Sequence, residues 1–154
     1  MPADALSSPS KTAQEILLER FYYKGWNKND DSEMTEILDA SVKFRGSFRR
    51  KPLRGIPAFL EYMHKAHAAL GNHTILLEDV VVQGGKVAVR LTSRGIHRGD
   101  FFGIQGSGHE VAWSSAGFFQ LNDDRTRITE IWILGDIDGL KHQIGASVET
   151  SIGF

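Results

Sequence analysis

Apolar residues recur at helical intervals near the start of the chain. Ala13, Ile16, Leu17 and Phe21 share one face, and Thr12 followed by Glu15 has capping-box spacing. This pattern predicts a first helix over residues 10–26, broken by the polar Asn27-Lys-Asn-Asp-Asp31. Ser32 can cap a short second helix holding Met34, Ile37 and Leu38, after which alternation through Val42, Lys43, Phe44 and Arg45 predicts a short strand. Gly55-Ile-Pro57 opens a third helix, with proline in the first turn where its missing N–H costs least. Phe59, Leu60, Met63 and Ala66 form its apolar stripe, and Gly71-Asn72 ends it. From there the period shortens to two. Strands are predicted over 73–83, 86–97, 109–122 and 126–135, the first two joined by a tight turn at Gly84-Gly85. A last short helix is predicted over 137–144. Helices gathered in front and strands behind predict an α+β domain in which a mostly antiparallel sheet folds over helices and encloses a pocket.

The last strand carries the candidate chemistry. Counting by two from Glu130 puts Trp132, Leu134 and Asp136 on one face and Ile131, Ile133 and Gly135 on the other. If the first face looks into the pocket, Asp136 is a carboxylate in apolar surroundings. Its pKa would then rise from about 3.9 and make it a usable general base near neutrality. The alternative for Asp136 is a helix cap, although Asp138 reads as the better pure cap. Tyr62 and Trp132 are the aromatic residues expected to line the pocket. His64 and His67, with Glu61 one turn earlier, lack a second ligand set, so no metal site is expected. Ser114-Ser115 lacks the glycines of a nucleophile elbow, and Gly103-x-x-Gly106-x-Gly108 lacks the strand-to-helix setting of a nucleotide loop. No cofactor is expected.

Composition narrows the partners. The 154 residues fit one domain over 10–146, with flexible tails at 1–9 and 147–154. A formal charge of −1 offers no general attraction for nucleic acid or anionic membrane, and the basic cluster from Arg45 to Arg54 reads as a solvated loop. The chain has no cysteine, which excludes disulfides and thiolate chemistry and suits a reducing compartment. No apolar run reaches the length of a membrane span and the start lacks the features of a signal peptide, so a cytoplasmic protein is expected.

Four blocks in order resemble the SnoaL-type small polyketide cyclases, within the superfamily of cone-shaped α+β barrels similar to nuclear transport factor 2. They are residues 55–70; residues 78–90; Arg94-Gly-Ile-His-Arg-Gly-Asp-Phe-Phe-Gly-Ile104; and Ile128 to Ala146, which aligns without a gap. The resemblance implies an acid/base role for Asp136. It places His97 on the family's histidine, with a hydrogen-bonded turn histidine as the other reading. It implies that Phe118, Gln120 and Asn122 share a face that looks into the pocket, where the polar groups of Gln120 and Asn122 hold a substrate oxygen, Asn122 being otherwise a turn residue. The implied activity is cofactor-independent enolisation of a polyketide-like or other hydrophobic carbonyl substrate, followed by aldol closure or rearrangement, in a homodimer formed through the sheet. The alternatives are a non-catalytic ligand-binding or dimerisation module, or a related dehydratase or epoxide hydrolase. A solvent-poor cavity containing Asp136 would favour an enzyme; a filled interior with Asp136 on the surface would favour the module.

Overall fold

The computed structural model describes residues 10–145. The tails expected at 1–9 and 147–154 lie outside these residues. Helix α1 (Ala13–Glu19) starts at Thr12, whose hydroxyl accepts the Glu15 N–H at 3.1 Å, as the capping-box spacing predicts. The helix does not continue regularly to residue 26. It passes into a π-helical segment, Arg20–Trp26, whose wider turn is extended by bonds from Asn27 N–H to the Tyr22 carbonyl and from Asp30 N–H to the Gly25 carbonyl.

Helix α2 (Asp31–Ile37) is capped by Asp30 rather than Ser32: the Asp30 carboxylate accepts the Ser32 and Glu33 N–H groups at 3.0 and 3.1 Å. Leu38 opens β1 (Leu38–Arg45), longer than the alternation predicted. A two-residue strand, β2 (Leu53–Arg54), has no sequence signal and pairs with Lys43 and Phe44. Helix α3 (Ile56–Ala69) begins at Gly55, with Pro57 in its first turn. Then follow β3 (Leu70–Gln83), β4 (Lys86–His97), β5 (Glu110–Leu121), β6 (Ile128–Gly135) and α4 (Ile137–Gln143), each within three residues of its predicted limits.

The strands form one curved sheet in the order β2-β1-β6-β5-β4-β3, antiparallel except for the β1–β6 pair. Bulges between Gly71 and Thr74 and between Leu77 and Asp79 bend β3 against β4. The concave face closes over α1, the π segment and α3. Phe21, Phe59, Met63, Leu91, Phe119 and Ile131 are fully buried there. Removing such side chains from water contributes roughly 2–3 kcal/mol each. A smaller cluster of Leu70, Phe101, Val111, Trp113, Leu140 and Ile144 seats α4 and the loop after β4.

Candidate functional site

Strand alternation decides which residues face the helices. On β6 these are Ile131 and Ile133, while Trp132 and Leu134 are exposed on the convex side. On β5 the inward positions are Val111, Trp113, Ser115, Phe119 and Leu121, and Phe118 is exposed. Trp132 and Phe118 face each other across the pair on the outer surface, with ring centroids 6.1 Å apart. The expectation that Trp132, Leu134 and Asp136 look into the cavity is therefore corrected, as is the inward placement of Phe118. Both faces of these strands are apolar, so hydrophobicity alone does not set the phase.

The concave face holds a half-open cavity of about 50 Å³, room for a few waters. Its wall is largely aromatic and aliphatic, with polar interruptions from His73, Ser47, Ser93, Ser115, Tyr22 and Tyr62. Among the described residues, no Lys, Arg, Asp or Glu lines it. An outer cleft of about 370 Å³ lies beyond, bordered by Arg49, Glu61, Lys65, Asp100, Phe101 and Phe102. Phe48 and Tyr62 belong to the walls of both and stand between them. Burial raises the pKa of the Tyr62 hydroxyl, so it stays a neutral phenol at physiological pH.

His73 is the most constrained polar group in the cavity. It is 2% exposed, the bulge at the start of β3 surrounds it, and its ring stacks on Trp113 at 5.6 Å. The Trp26 indole N–H donates to its Nδ1 at 3.3 Å. Indole nitrogen can only donate, so Nδ1 is the acceptor and the ring proton sits on Nε2. Among the described residues, that Nε2–H is buried without a partner. Burial, and secondarily the neighbouring His67, push the His73 pKa down to about 3, so the ring is neutral across the physiological range. The Trp26 carbonyl meanwhile accepts from His67 Nε2 at 2.7 Å, which ties the π segment to α3.

Among the expected site residues, only Tyr62 lines the cavity. Asp136 is exposed and caps α4, accepting the Gly139 N–H at 3.0 Å. The preceding Gly135 faces inward, where a Cβ would meet the Ser47 hydroxyl and Ser115. His97 is wholly buried, with Nδ1 2.9 Å from the Ser107 hydroxyl and Nε2 3.2 Å from the Ile104 carbonyl. It anchors the 98–108 loop, and a Cβ on Gly106 would overlap the Arg98 backbone. Its placement corresponds to the turn-histidine reading. The Gln120 amide donates to the Gly85 and Leu121 carbonyls at 3.2 Å each, away from the cavity. Asn122 organises the β5–β6 turn through Thr126 and Arg127. His64 faces Asp31 at 2.6 Å while His67 faces Trp26, so the two do not converge.

Sequence reading missed His73, Phe48, Ser93 and Ser115, and took Trp132 for the cavity tryptophan where Trp26 and Trp113 line it. A usable signal was present for one of them: His73 alternates with Ile75 on β3, a lone histidine in register with a buried position.

The sequence model of the SnoaL-like polyketide cyclases matches residues 16–144. No curated protein sequence matches the chain. Among solved structures it is similar to TsrD from Streptomyces laurentii, at 23% identity and TM-score 0.78, covering 91% of this chain and 100% of that one. It is also similar to a proposed SnoaL-like polyketide cyclase from Jannaschia sp. CCS1, at 21% identity and TM-score 0.80, covering 92% and 98%. A third is IdmH from Streptomyces antibioticus, a proposed polyketide cyclase, at 20% identity and TM-score 0.74, covering 86% and 99%. At such identities the likeness is one of fold.

Proposed function

The chain belongs to the SnoaL-like polyketide cyclase family, and from that premise we propose that it enolises a hydrophobic carbonyl compound without a cofactor, for intramolecular aldol closure or rearrangement. The observation that carries this reading is the nearly apolar cavity under the concave sheet, which suits an uncharged ligand with oxygen functions. Asp136 is the proposed acid/base. Its carboxylate removes a proton next to a carbonyl; the enolate carbon attacks a second carbonyl; the resulting alkoxide takes the proton back from the carboxylic acid. Atoms and electrons then balance within the substrate. Carbon acids flanked by two carbonyls are already activated, so orientation and a few donors suffice.

Support for Asp136 is the family membership together with its position one residue beyond Gly135, which abuts the cavity wall. The substrate would lie across the rim near Ser47, with its inner end in the cavity. Turnover of an aromatic polyketone should be abolished in Asp136→Asn with the fold retained. An unchanged rate would exclude the acid/base role.

A second reading, a non-catalytic ligand-binding module, is favoured by the exposure of Asp136 and the small cavity. It predicts ligand binding without conversion in the wild-type protein. A second copy of this chain is the proposed partner, meeting the exposed convex patch of Phe118, Trp132 and Leu134. No described helix is long and apolar enough to cross a membrane.

A further inference from the structure

A buried N–H donor left without an acceptor costs about 1–3 kcal/mol. His73 Nε2–H is such a donor, and it sits in a cavity wall rather than in close-packed core. Its proton is fixed there, because Trp26 occupies Nδ1 at 3.3 Å and stacking on Trp113 at 5.6 Å holds the ring plane. Among the described residues the cavity lining holds no charged side chain, so the acceptor it suits is neutral. A volume of about 50 Å³ admits a carbonyl group but not the ring that carries it. Phe48, half-buried on the loop between β1 and β2, separates this space from the outer cleft of about 370 Å³.

We propose that His73 Nε2–H is the oxygen anchor of the cavity, donating to the carbonyl of an uncharged aromatic ketone whose ring replaces Phe48 at the boundary with the outer cleft. The proposal rests on the reading of this cavity as the inner end of the substrate chamber. His73 then selects a ketone over an isosteric olefin and, during enolisation, holds the oxygen on which charge develops. It is a binding and orienting group; it neither takes nor gives up a proton, because the site keeps it neutral.

The test compares acetophenone with α-methylstyrene, in which a CH2 group replaces the oxygen. The wild-type protein should bind the ketone about tenfold more tightly. The Nε2–H resonance of His73, followed by ¹H–¹⁵N NMR, should move with the ketone and stay in place with the olefin. His73→Phe should bind both equally. If that variant does not fold, the wild-type resonance still decides. Equal wild-type affinities, a resonance unmoved by ketone (a trapped water only), or no binding of either compound at its solubility limit would overturn the proposal. Because no turnover is involved, the binding comparison is read on the wild-type protein, separately from the activity of Asp136→Asn. An inactive Asp136→Asn beside an unresponsive His73 would defeat the anchor alone, and the converse would defeat the acid/base assignment alone.

Discussion

The backbone N–H of Phe48 donates to the hydroxyl of Tyr62 at 3.1 Å, and the two rings stack with centroids 5.7 Å apart. This pair joins the loop after β1 to α3 and forms the partition between inner cavity and outer cleft. The neighbouring Gly46 leaves space for the phenol: a Cβ there would overlap the Tyr62 hydroxyl.

Tyr62→Phe keeps the ring stack and deletes the acceptor for the Phe48 N–H. A loss of about 0.5–1.5 kcal/mol in urea-melt stability is expected. Hydrogen exchange should accelerate at residues 46–50 and stay unchanged in β4 and β5. Exchange that rises evenly across the sheet would show that the pair does not act as a local latch.

At Asp136 two roles separate cleanly by substitution. Asn caps helices about as well as Asp, so Asp136→Asn should retain the melting temperature while losing turnover. Asp136→Ala removes the acceptor for Gly139 N–H and should cost about 0.5–2 kcal/mol in addition. Equal stability of the two variants would argue against the cap.

His73 makes stability depend on pH. Its pKa is near 6.5 in the unfolded chain and about 3 in the folded one, so between those values the unfolded state binds the extra proton. The stability associated with the neutral ring is complete above pH 6.5 and is lost as pH falls toward 3, by at most about 1.4 kcal/mol per pH unit. His67, whose pKa burial also lowers, acts in the same direction. Urea melts at pH 7 and pH 5 should show a shallower acid decline for His73→Phe than for the wild type, whatever its absolute stability. A slope identical to the wild type would rule out His73 as the source.

The convex patch predicts a dimer. Phe118, 60% exposed, and Trp132, 41% exposed, pack side by side there, with the Arg45 guanidinium 5.5 Å from the Trp132 ring centroid. Phe118→Glu buries a charge in any isologous contact through this face, so sedimentation at micromolar concentration should move from dimer to monomer with an unchanged far-UV spectrum. A wild-type monomer, or a variant that stays dimeric, would place the interface elsewhere.

Helical spacing through Leu17 and Phe21, the proline-led start at Gly55-Ile-Pro57 and the Gly84-Gly85 turn were enough to specify the element order and the α+β class, because each is a local rule acting within one or two turns; the face that α1 buries is nonetheless Gln14, Leu17 and Leu18, with Ala13 and Ile16 exposed. The family blocks were equally legible. The direction each strand presents to the helices was not. Ile131 and Trp132, or Phe118 and Phe119, are both apolar, and only packing against the π segment and α3 decides which of each pair is buried. The same limit governed the site. Asp136 follows a strand in the sequence, yet whether its carboxylate faces cavity or solvent depends on how α4 docks. His73 gains its fixed tautomer and low pKa only when Trp26, far away in the chain, meets it across the fold. Local pattern determined the elements; long-range burial and hydrogen bonding decided which side chains confront the cavity, because both arise only once distant segments exclude water together.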